Sequence, residues 1–337
     1  DQLVPTLQTR DILTGDATGT IAGAIMDHDF QVEYTQTWSG GIQVEALPRT
    51  MLEVSYMGSY TIGADNSTIR NVPEPGPGQI DARRLIPELS AIRAIRFDGR
   101  SIYHAVTLKA ERRFDGRYSF NVAYTLSKSQ DDASSPGATA FESNVPQDVR
   151  NIFPGENALS SFDHRHQFVA SGSYQLPFFE GAGGATEALA GGWRLNTIVT
   201  LQSGAPFTVN LGQDRANIGS GPAQRPDQIS DPNLPAGQRS AGQWFNTAAF
   251  ALQAPFTFGS AGRNSVFAPG LANVDLSIVK GWYFDEQGRL EFRWEIFNLL
   301  NRANFDVPNR VFGTPNFGRI FSAQHAREMQ FGLRYSF

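Results

Sequence analysis

The stretch that decides the fold is Glu328-Met329-Gln330-Phe331-Gly332-Leu333-Arg334-Tyr335-Ser336-Phe337. Every second side chain in it is apolar or aromatic, and the side chains between them are polar or absent. At 100° per residue, as in a helix, the apolar side chains would scatter around the axis, whereas at 180° per residue they form one stripe. The stretch therefore predicts a β-strand with one apolar face and one polar face.

The same alternation recurs along the chain. It is clear in three further segments and weaker in five others. The clear segments are 118–127, 193–203 and 289–297, and the weaker ones are 38–47, 52–60, 103–113, 168–176 and 273–282. We predict about nine strands, or ten if residues 19–26 form another.

The connections between these segments differ greatly in length. The short ones are 47–50, 114–116 and 285–288, a medium one is 177–192, and the long ones are 61–100, 130–161, 204–271 and 299–326. Short turns at one end and long loops at the other are typical of an antiparallel transmembrane β-barrel, with periplasmic turns and extracellular loops. A large soluble β-protein, such as a carbohydrate-active one, remains the alternative, although it rarely carries four loops this long.

Aromatic residues at predicted strand ends favour the barrel. Such rings match the aromatic girdles that lie at both membrane interfaces. The residues are Trp38, Tyr118, Trp193, Trp282, Tyr283 and Phe337.

Composition excludes several other classes of protein. Of 337 residues, 12% are aromatic and only 18% are charged, which argues against a disordered chain. The net charge is -5, so the composition does not indicate a positively charged surface that would bind nucleic acid. The absence of cysteine excludes disulfides and thiolate chemistry. The first residues lack the pattern of a signal peptide, so we expect that one has been removed or that the chain is part of something longer.

Five stretches carry more specific combinations of residues. They are Tyr124-Thr125-Leu126-Ser127-Lys128-Ser129-Gln130-Asp131-Asp132, Ser161-Phe162-Asp163-His164-Arg165-His166-Gln167-Phe168, Gly192-Trp193 with Ser203-Gly204-Ala205-Pro206-Phe207, Phe258-Gly259-Ser260-Ala261-Gly262-Arg263-Asn264-Ser265 with Pro269-Gly270, and Arg293-Trp294-Glu295-Ile296-Phe297-Asn298-Leu299-Leu300-Asn301-Arg302-Ala303-Asn304-Phe305. In this order they resemble the motifs of Oar-like TonB-dependent outer-membrane receptors. The resemblance covers most of the chain from about Trp38 to Phe337.

The resemblance implies a location, a fold and a mode of action. Receptors of this family lie in the bacterial outer membrane of Gram-negative cells, and their barrel is expected to have 22 strands. Ligand binds the extracellular loops, and the TonB system acts through a plug that is not visible in this chain. The alternating strand that ends in Phe331, Leu333, Tyr335 and Phe337 resembles the signal read by the barrel-assembly machinery.

The domain prediction follows from both arguments. We expect residues 1–35 to be an N-terminal segment, either loop or partial strand, and residues 36–337 to be the C-terminal part of an outer-membrane barrel. Nine or ten strands leave two unpaired edges in lipid unless they close into a narrow barrel. We favour completion by remaining barrel strands, either in the same polypeptide or in a partner chain.

The sequence offers few candidates for chemistry. His164 and His166 lie on one strand face and could bind a metal, but we favour a hydrogen-bonding cluster with Asp163. Glu291 and Glu295 on one strand lie roughly 13 Å apart, too far for a glycosidase pair, so with Arg293 they predict a salt-bridge ladder in the lumen. The glycine-rich stretches 181–184 and 219–222 read as loops.

We therefore predict a receptor or transporter and no enzyme, with no catalytic residue, cofactor or metal. The alternative is an outer-membrane structural or adhesion module that reuses the barrel without transport. The ligand is unknown, and outer-membrane lipid is the expected surrounding. The candidate ligand-facing residues are Asp131, Asp132, Asn298, Asn301, Arg302 and Asn304; for each, a structural role in the loop is the competing interpretation.

Overall fold

The computed structural model describes residues 23–26, 31–135, 139–143, 145–151, 155–219, 223–284 and 288–337. The strands in these ranges are β1 (Ala24–Met26), β2 (Tyr34–Leu47), β3 (Thr50–Arg70), β4 (Ile92–Arg112), β5 (Tyr118–Asp131), β6 (Ala158–Leu159), β7 (His166–Gln175), β8 (Trp193–Gln202), β9 (Pro206–Phe207), β10 (Asn210–Leu211), β11 (Asp227–Gln228), β12 (Phe250–Ala251), β13 (Val266–Phe267), β14 (Leu271–Tyr283), β15 (Arg289–Phe297), β16 (Val311–Phe312) and β17 (Glu328–Ser336). One helix, α1, spans Gly184–Ala190, and 3-10 turns lie at Asp81–Arg83, Ala236–Gln238 and Thr247–Ala249.

Nine long strands form one antiparallel sheet within the described ranges. Their spatial order is β17-β15-β14-β8-β7-β5-β4-β3-β2, so that, apart from the short strands, neighbours in the chain are neighbours in the sheet. All nine predicted long strands are present, and the prediction of an antiparallel sheet is confirmed. The predicted tenth strand, 19–26, is described only in part: Ala24–Met26 form β1, which pairs in parallel with β4, and residues 19–22 lie outside the described ranges.

One face of the sheet is apolar across all nine strands. Val54 lies between Ile42 of β2 and Leu108 of β4. Near the other edge, Trp294 lies between Ile278 and Phe331. Ile42 and Phe331 are 77% and 69% exposed, so no described part of the chain covers this face. An exposed apolar face favours the barrel over a soluble sandwich, which buries its apolar face.

The opposite face is polar. Thr107 and Thr125 face each other across β4 and β5, and their hydroxyls lie 3.0 Å apart. On β15, Arg293 contacts Glu291 at 2.8 Å and Glu295 at 3.9 Å. The predicted salt bridges are present, and their position in a lumen stays a prediction.

The first long loop is shorter than predicted. The sequence predicted a loop over 61–100, but β3 continues to Arg70 and pairs with β4 as far as Ile92. The register shifts between Ile62 and Ala64 and again before Asn66, and these bulges break the period of two that identifies strands. Each strand has 21 residues, about 70 Å, whereas about 10 residues span a bilayer.

The remaining loops begin and end close to the prediction. The long connections are 71–91, 132–165, 203–270 and 298–327, and they share one end of the sheet, here called the loop end. The other end, the turn end, carries the connections 48–49, 113–117, 176–192 and 284–288. Residues 220–222 of one glycine-rich stretch, residues 285–287 of one turn and most of the 1–35 segment lie outside the described ranges. No helix in the described part is long and apolar enough to cross a membrane.

Candidate functional site

The four long connections pack together at the loop end, and we call them the loop cap. They have a hydrophobic core of their own. Phe245 lies near its centre, with edge-to-face contacts to Phe207, Phe250 and Phe317 at centroid distances of 5.0–6.0 Å. Val209, Ala249, Ala261, Val266 and Ala268 complete the buried cluster. The loops are therefore held in one arrangement by packing.

Arg263 joins the third loop to the second. Its Nε donates to Glu142 Oε2 at 2.8 Å, and one terminal nitrogen donates to Asp131 Oδ1 and Ser134 Oγ, each at 2.7 Å. The other terminal nitrogen donates to the carbonyls of Asp131 and Glu156. All five N–H donors of this buried guanidinium are thus used. Burial by itself would lower the pKa of Arg263, but the charges of Glu142 and Asp131 outweigh it and raise that pKa.

Asn264, the next residue, completes this contact. Its amide nitrogen donates to Glu142 Oε2 at 3.0 Å and to the Leu159 carbonyl at 2.7 Å. Its backbone has a φ of 49°, in the left-handed region that asparagine tolerates better than most residues. The pair Arg263-Asn264 therefore builds the junction of two loops.

A second buried arginine makes a similar connection. Arg225 forms a two-pronged pair with Glu156, with nitrogen–oxygen distances of 2.9 and 3.0 Å. Gln147 accepts from the Arg225 backbone N–H at 2.7 Å and donates to the Gly259 carbonyl at 2.9 Å. A Cβ at Gly259 would lie 2.1 Å from the Arg225 carbonyl oxygen, so this close approach requires glycine.

Arg310 brings the fourth loop into the assembly. Its guanidinium donates to the carbonyls of Ala140, Thr208 and Thr139 and to the Asn210 side chain. Burial lowers the pKa of Arg310, and the nearby Glu142 charge opposes that effect. Three arginines thus clamp three loops around their shared core.

The structure places Asp131 and Asp132 inside this assembly. The Asp131 carboxylate is 3% exposed and binds Arg263. Asp132 Oδ1 accepts from the Arg100 backbone N–H at 2.9 Å, while Oδ2 is buried with no hydrogen-bond donor among the described residues. Burial raises the pKa of Asp132, and the Asp131 charge adds to it. Both side chains are committed to the loop root, and direct contact with a ligand stays a prediction.

The asparagines after β15 also bind protein groups. Asn298 Oδ1 accepts from the Arg302 backbone N–H at 3.0 Å. Asn301 Oδ1 accepts from Arg327 N–H at 3.0 Å, and Asn304 Oδ1 accepts from Ala272 N–H at 3.0 Å. These contacts fix the exit of β15 and the return to β17. The Arg302 side chain is exposed.

A cleft of about 430 Å³ opens near the tip of the β3–β4 hairpin. Its apolar lining includes Ile69, Leu85 and Ile86, and Arg70 and Arg150 lie at its wall. Arg150 pairs with Glu74 and Asp148. Leu85 is 89% exposed, so an apolar surface is presented at this tip.

The first loop is joined to the third beside this cleft. Asn217 Nδ2 donates to the carbonyls of Gly76 and Gly78 at 2.9 and 2.8 Å. Arg83 donates to the carbonyls of Glu74 and Asn217. The cleft therefore belongs to the same ordered assembly.

The two histidines predicted as a pair bind different groups. His164 Nδ1 lies 2.7 Å from the Ser203 carbonyl oxygen, and His166 Nδ1 lies 2.8 Å from the Tyr124 hydroxyl. Asp163 instead accepts from the Ser129 backbone N–H at 2.6 Å. In the part of the chain that the structure describes, no three acidic or histidine side chains are grouped to hold a metal ion.

The C-terminal strand presents its apolar side chains outward. Phe331, Leu333, Tyr335 and Phe337 are all exposed, and Phe331 stacks on Trp294 at 5.7 Å. β17 pairs with β15 on one edge, and no described strand pairs with its other edge. Its role as an assembly signal stays a prediction.

Sequence reasoning missed the arginines as organisers of the loops. Their partners lie far away in the chain: Glu142 is 121 residues from Arg263, and Glu156 is 69 residues from Arg225. The one local signal is the motif around Arg263-Asn264, which does not indicate the partners of the arginine.

Comparison with known proteins agrees with this architecture. The family profile described as "Outer membrane beta barrel domain" matches residues 2–330. Among solved structures, the outer membrane transporter YddB from Escherichia coli aligns with a TM-score of 0.50 at 10% identity, covering 95% of this chain and 34% of that one. The FrpB iron transporter from Neisseria meningitidis (F3-3 variant) aligns with a TM-score of 0.43 at 12% identity, covering 93% and 33%.

The similarity to YddB concerns the fold alone. The chain spans about a third of the length of the solved structures that it matches. No curated protein matches the sequence significantly.

Proposed function

Because this chain belongs to the outer membrane beta barrel domain family, we propose that it supplies wall strands and extracellular loops to a TonB-dependent receptor of the Oar-like kind. In this proposal the polar face borders the lumen, the apolar face contacts outer-membrane lipid, and the loop cap receives a ligand. The whole receptor then moves the ligand inward through the lumen. The proposal includes no catalytic step.

The observation that carries the proposal is the construction of the loop cap. A wall needs only short connections between strands, yet these loops share a hydrophobic core around Phe245 and are clamped by Arg225, Arg263 and Arg310. Ordering this much chain costs backbone entropy of roughly 1–2 kcal/mol per residue. Pre-organised loops bind a ligand without paying that cost again on binding.

The open sheet supports the need for further strands. β2 and β17 each have one edge without a partner among the described strands. Unpaired N–H and C=O groups are not tolerated in hydrocarbon, so these edges require pairing. We assign that pairing to remaining barrel strands, in this polypeptide or in a partner chain, inserted with the help of the barrel-assembly machinery. A plug outside the described residues provides the contact with the TonB system.

Within the cap, the cleft at the hairpin tip is the proposed place of first ligand contact. Its lining combines Ile69, Leu85 and Ile86 with arginines at the wall, which suits a ligand with an apolar body and a polar end. Asp131, Asp132, Asn298, Asn301 and Asn304 then act mainly by holding the loops in place.

Energy-dependent uptake tests the proposal. Cells with and without the protein are grown in a defined medium, and depletion of each solute is followed by mass spectrometry, with and without an uncoupler of the inner membrane. We expect at least one solute to be depleted only when both the protein and the proton gradient are present. If no solute responds to the protein, or if its depletion continues with the uncoupler, the transport proposal is wrong.

A matched pair of variants tests the cleft. Leu85→Asp places a charge against the ligand's apolar body and should reduce uptake about tenfold. Ile229→Asp is the control, because Ile229 is also exposed in the cap but does not line the cleft. Equal effects of the two substitutions would contradict the assignment.

Adhesion is the second candidate function. It is favoured by the size of the cap, whose outward surface is ordered independently of any lumen. Binding of cells to a partner surface that survives the uncoupler, without solute uptake, would support it over transport.

A further inference from the structure

A groove of about 460 Å³ lies on the apolar face of the sheet, close to the loop end. Phe168, Leu201 and Ala272 form its floor, and they lie side by side on β7, β8 and β14. Because these side chains belong to the apolar face, the groove opens outward from the wall and away from the lumen. In an outer-membrane barrel this surface meets lipid.

The rim of the groove is cationic. Arg302 reaches it from the loop after β15, and its side chain is exposed. His166 is held beside it by the Tyr124 hydroxyl, 2.8 Å from Nδ1, with the two rings stacked at 6.2 Å. None of the residues that line the groove is acidic. An anion at the rim would therefore meet donors and no repelling charge.

The same construction occurs a second time on the apolar face. Tyr56 and His104 lie on β3 and β4 with the same diagonal offset, with a hydroxyl-to-Nδ1 distance of 2.8 Å and rings stacked at 6.1 Å. Lys128 of β5 lies directly opposite His104 and is exposed. A band of basic side chains thus follows the loop end of the apolar face from β4 to the loop after β15.

We propose that the groove binds an anionic membrane lipid of the outer leaflet. Its phosphate contacts Arg302 and His166, and an acyl chain lies along Phe168 and Leu201. Guanidinium groups recognise phosphate well because their planar N–H donors match its oxygens. The apolar floor would contribute nothing to a free anion, so both parts of the groove fit one molecule with a charged head and a hydrocarbon tail. The proposal rests on the outer-membrane location and is independent of transport.

Lipid retention tests the proposal. The intact protein is reconstituted in vesicles of equal phosphatidylglycerol and phosphatidylcholine, briefly re-extracted, and its bound lipids are counted by native mass spectrometry. We expect the wild type to retain phosphatidylglycerol about tenfold over phosphatidylcholine. Arg302→Gln and His166→Gln should each reduce that preference severalfold, and Arg302→Lys should restore part of it.

Two controls make the result specific. Arg319→Gln removes an exposed arginine of the same loop that does not line the groove, so its preference should equal that of the wild type. Glycerol phosphate, which lacks acyl chains, should not displace the retained lipid. The proposal is overturned if the wild type shows no preference, if both groove variants keep it, or if glycerol phosphate displaces the lipid, since the last result identifies a simple anion site.

Discussion

The nine-stranded sheet, here called the wall, and the loop cap use similar residues in opposite ways. In the wall, aromatic and aliphatic side chains such as Val54 and Phe331 are exposed, because their partner is lipid. In the cap, Phe245 and Phe207 are fully enclosed by protein. The wall therefore depends on the surrounding lipid for stability, whereas the cap is stabilised by its own hydrophobic core.

Ion pairs show the same contrast. Arg293 and Glu291 lie on the polar face of the sheet, and the Arg293 side chain is 51% exposed. Arg263 in the cap is enclosed, and its five donors are all used. Pairs exposed to water contribute little, but breaking a buried pair leaves an uncompensated charge. Similar chemistry should therefore have unequal effects in the two regions.

The largest effect is expected from Arg263→Gln. The substitution leaves Asp131 and Glu142 buried without their cation, and such losses cost about 3–5 kcal/mol. We expect hydrogen exchange to accelerate at amides of 207–211 and 264–268 while the amides of β5 and β7 stay protected. Unchanged exchange in the cap would show that the arginine does not hold the loops.

A smaller effect is expected on the wall from Phe331→Asp. A carboxylate on the lipid face should cost about 2 kcal/mol of folding free energy in vesicles. Gly332→Asp is the matched control, because the next residue faces Arg293 across the ladder and has room for a side chain. If both variants fold equally well, the apolar face does not contact lipid.

Arg293→Gln should have a still smaller effect. Pairs this exposed are worth about 0.2–1 kcal/mol, so the free energy of unfolding in vesicles should change by no more than that. A loss as large as that of Arg263→Gln would mean that the ladder is buried in the complete barrel.

The smallest effect is expected at the turn end, from Asp115→Asn. The Arg112 side chain and the backbone N–H groups of Tyr118 and Arg117 lower the pKa of Asp115 from 3.8 to about 2. Because the folded pKa is depressed, the stabilisation is complete above the unfolded value and disappears as the pH falls through the folded one. The difference in urea midpoint between wild type and variant should therefore be constant above about pH 5 and disappear progressively as the pH falls to about 1. A difference that stays unchanged from about pH 5 down to about pH 1 would contradict the ionic origin.

The strands were predictable because one force repeats along them. A strand with lipid on one side and water on the other needs apolar and polar side chains in alternation. This alternation can be read from a single sequence, as in 328–337. Loop residues such as Phe245 show no period, because they pack in three dimensions against residues far away in the chain. The bulges near Ala64 interrupt the period locally, so the sequence predicts a loop where the structure continues β3.

The site was predicted less well than the fold. Asp131 and Asn298 were correctly placed at loop roots, but the sequence did not reveal that their polar groups are occupied by Arg263 and by the backbone of Arg302. Contacts such as that between Asp131 and Arg263 join residues far apart in the sequence, and no local sequence pattern predicts which residues the fold brings together. Arg302 lines a groove on the apolar face, and its contact with a ligand in the loops stays a prediction.

The tall β3–β4 hairpin has a consequence for living cells. Residues 63–70 lie beyond the part of β3 that a bilayer can cover. They project the hairpin tip roughly 25 Å above the membrane surface. With the loop end facing the medium, as proposed, a molecule that approaches the cell meets this tip before it meets the lipid. A short epitope inserted beside Glu88, which is exposed in the same loop, would thus be accessible to an antibody on intact bacteria.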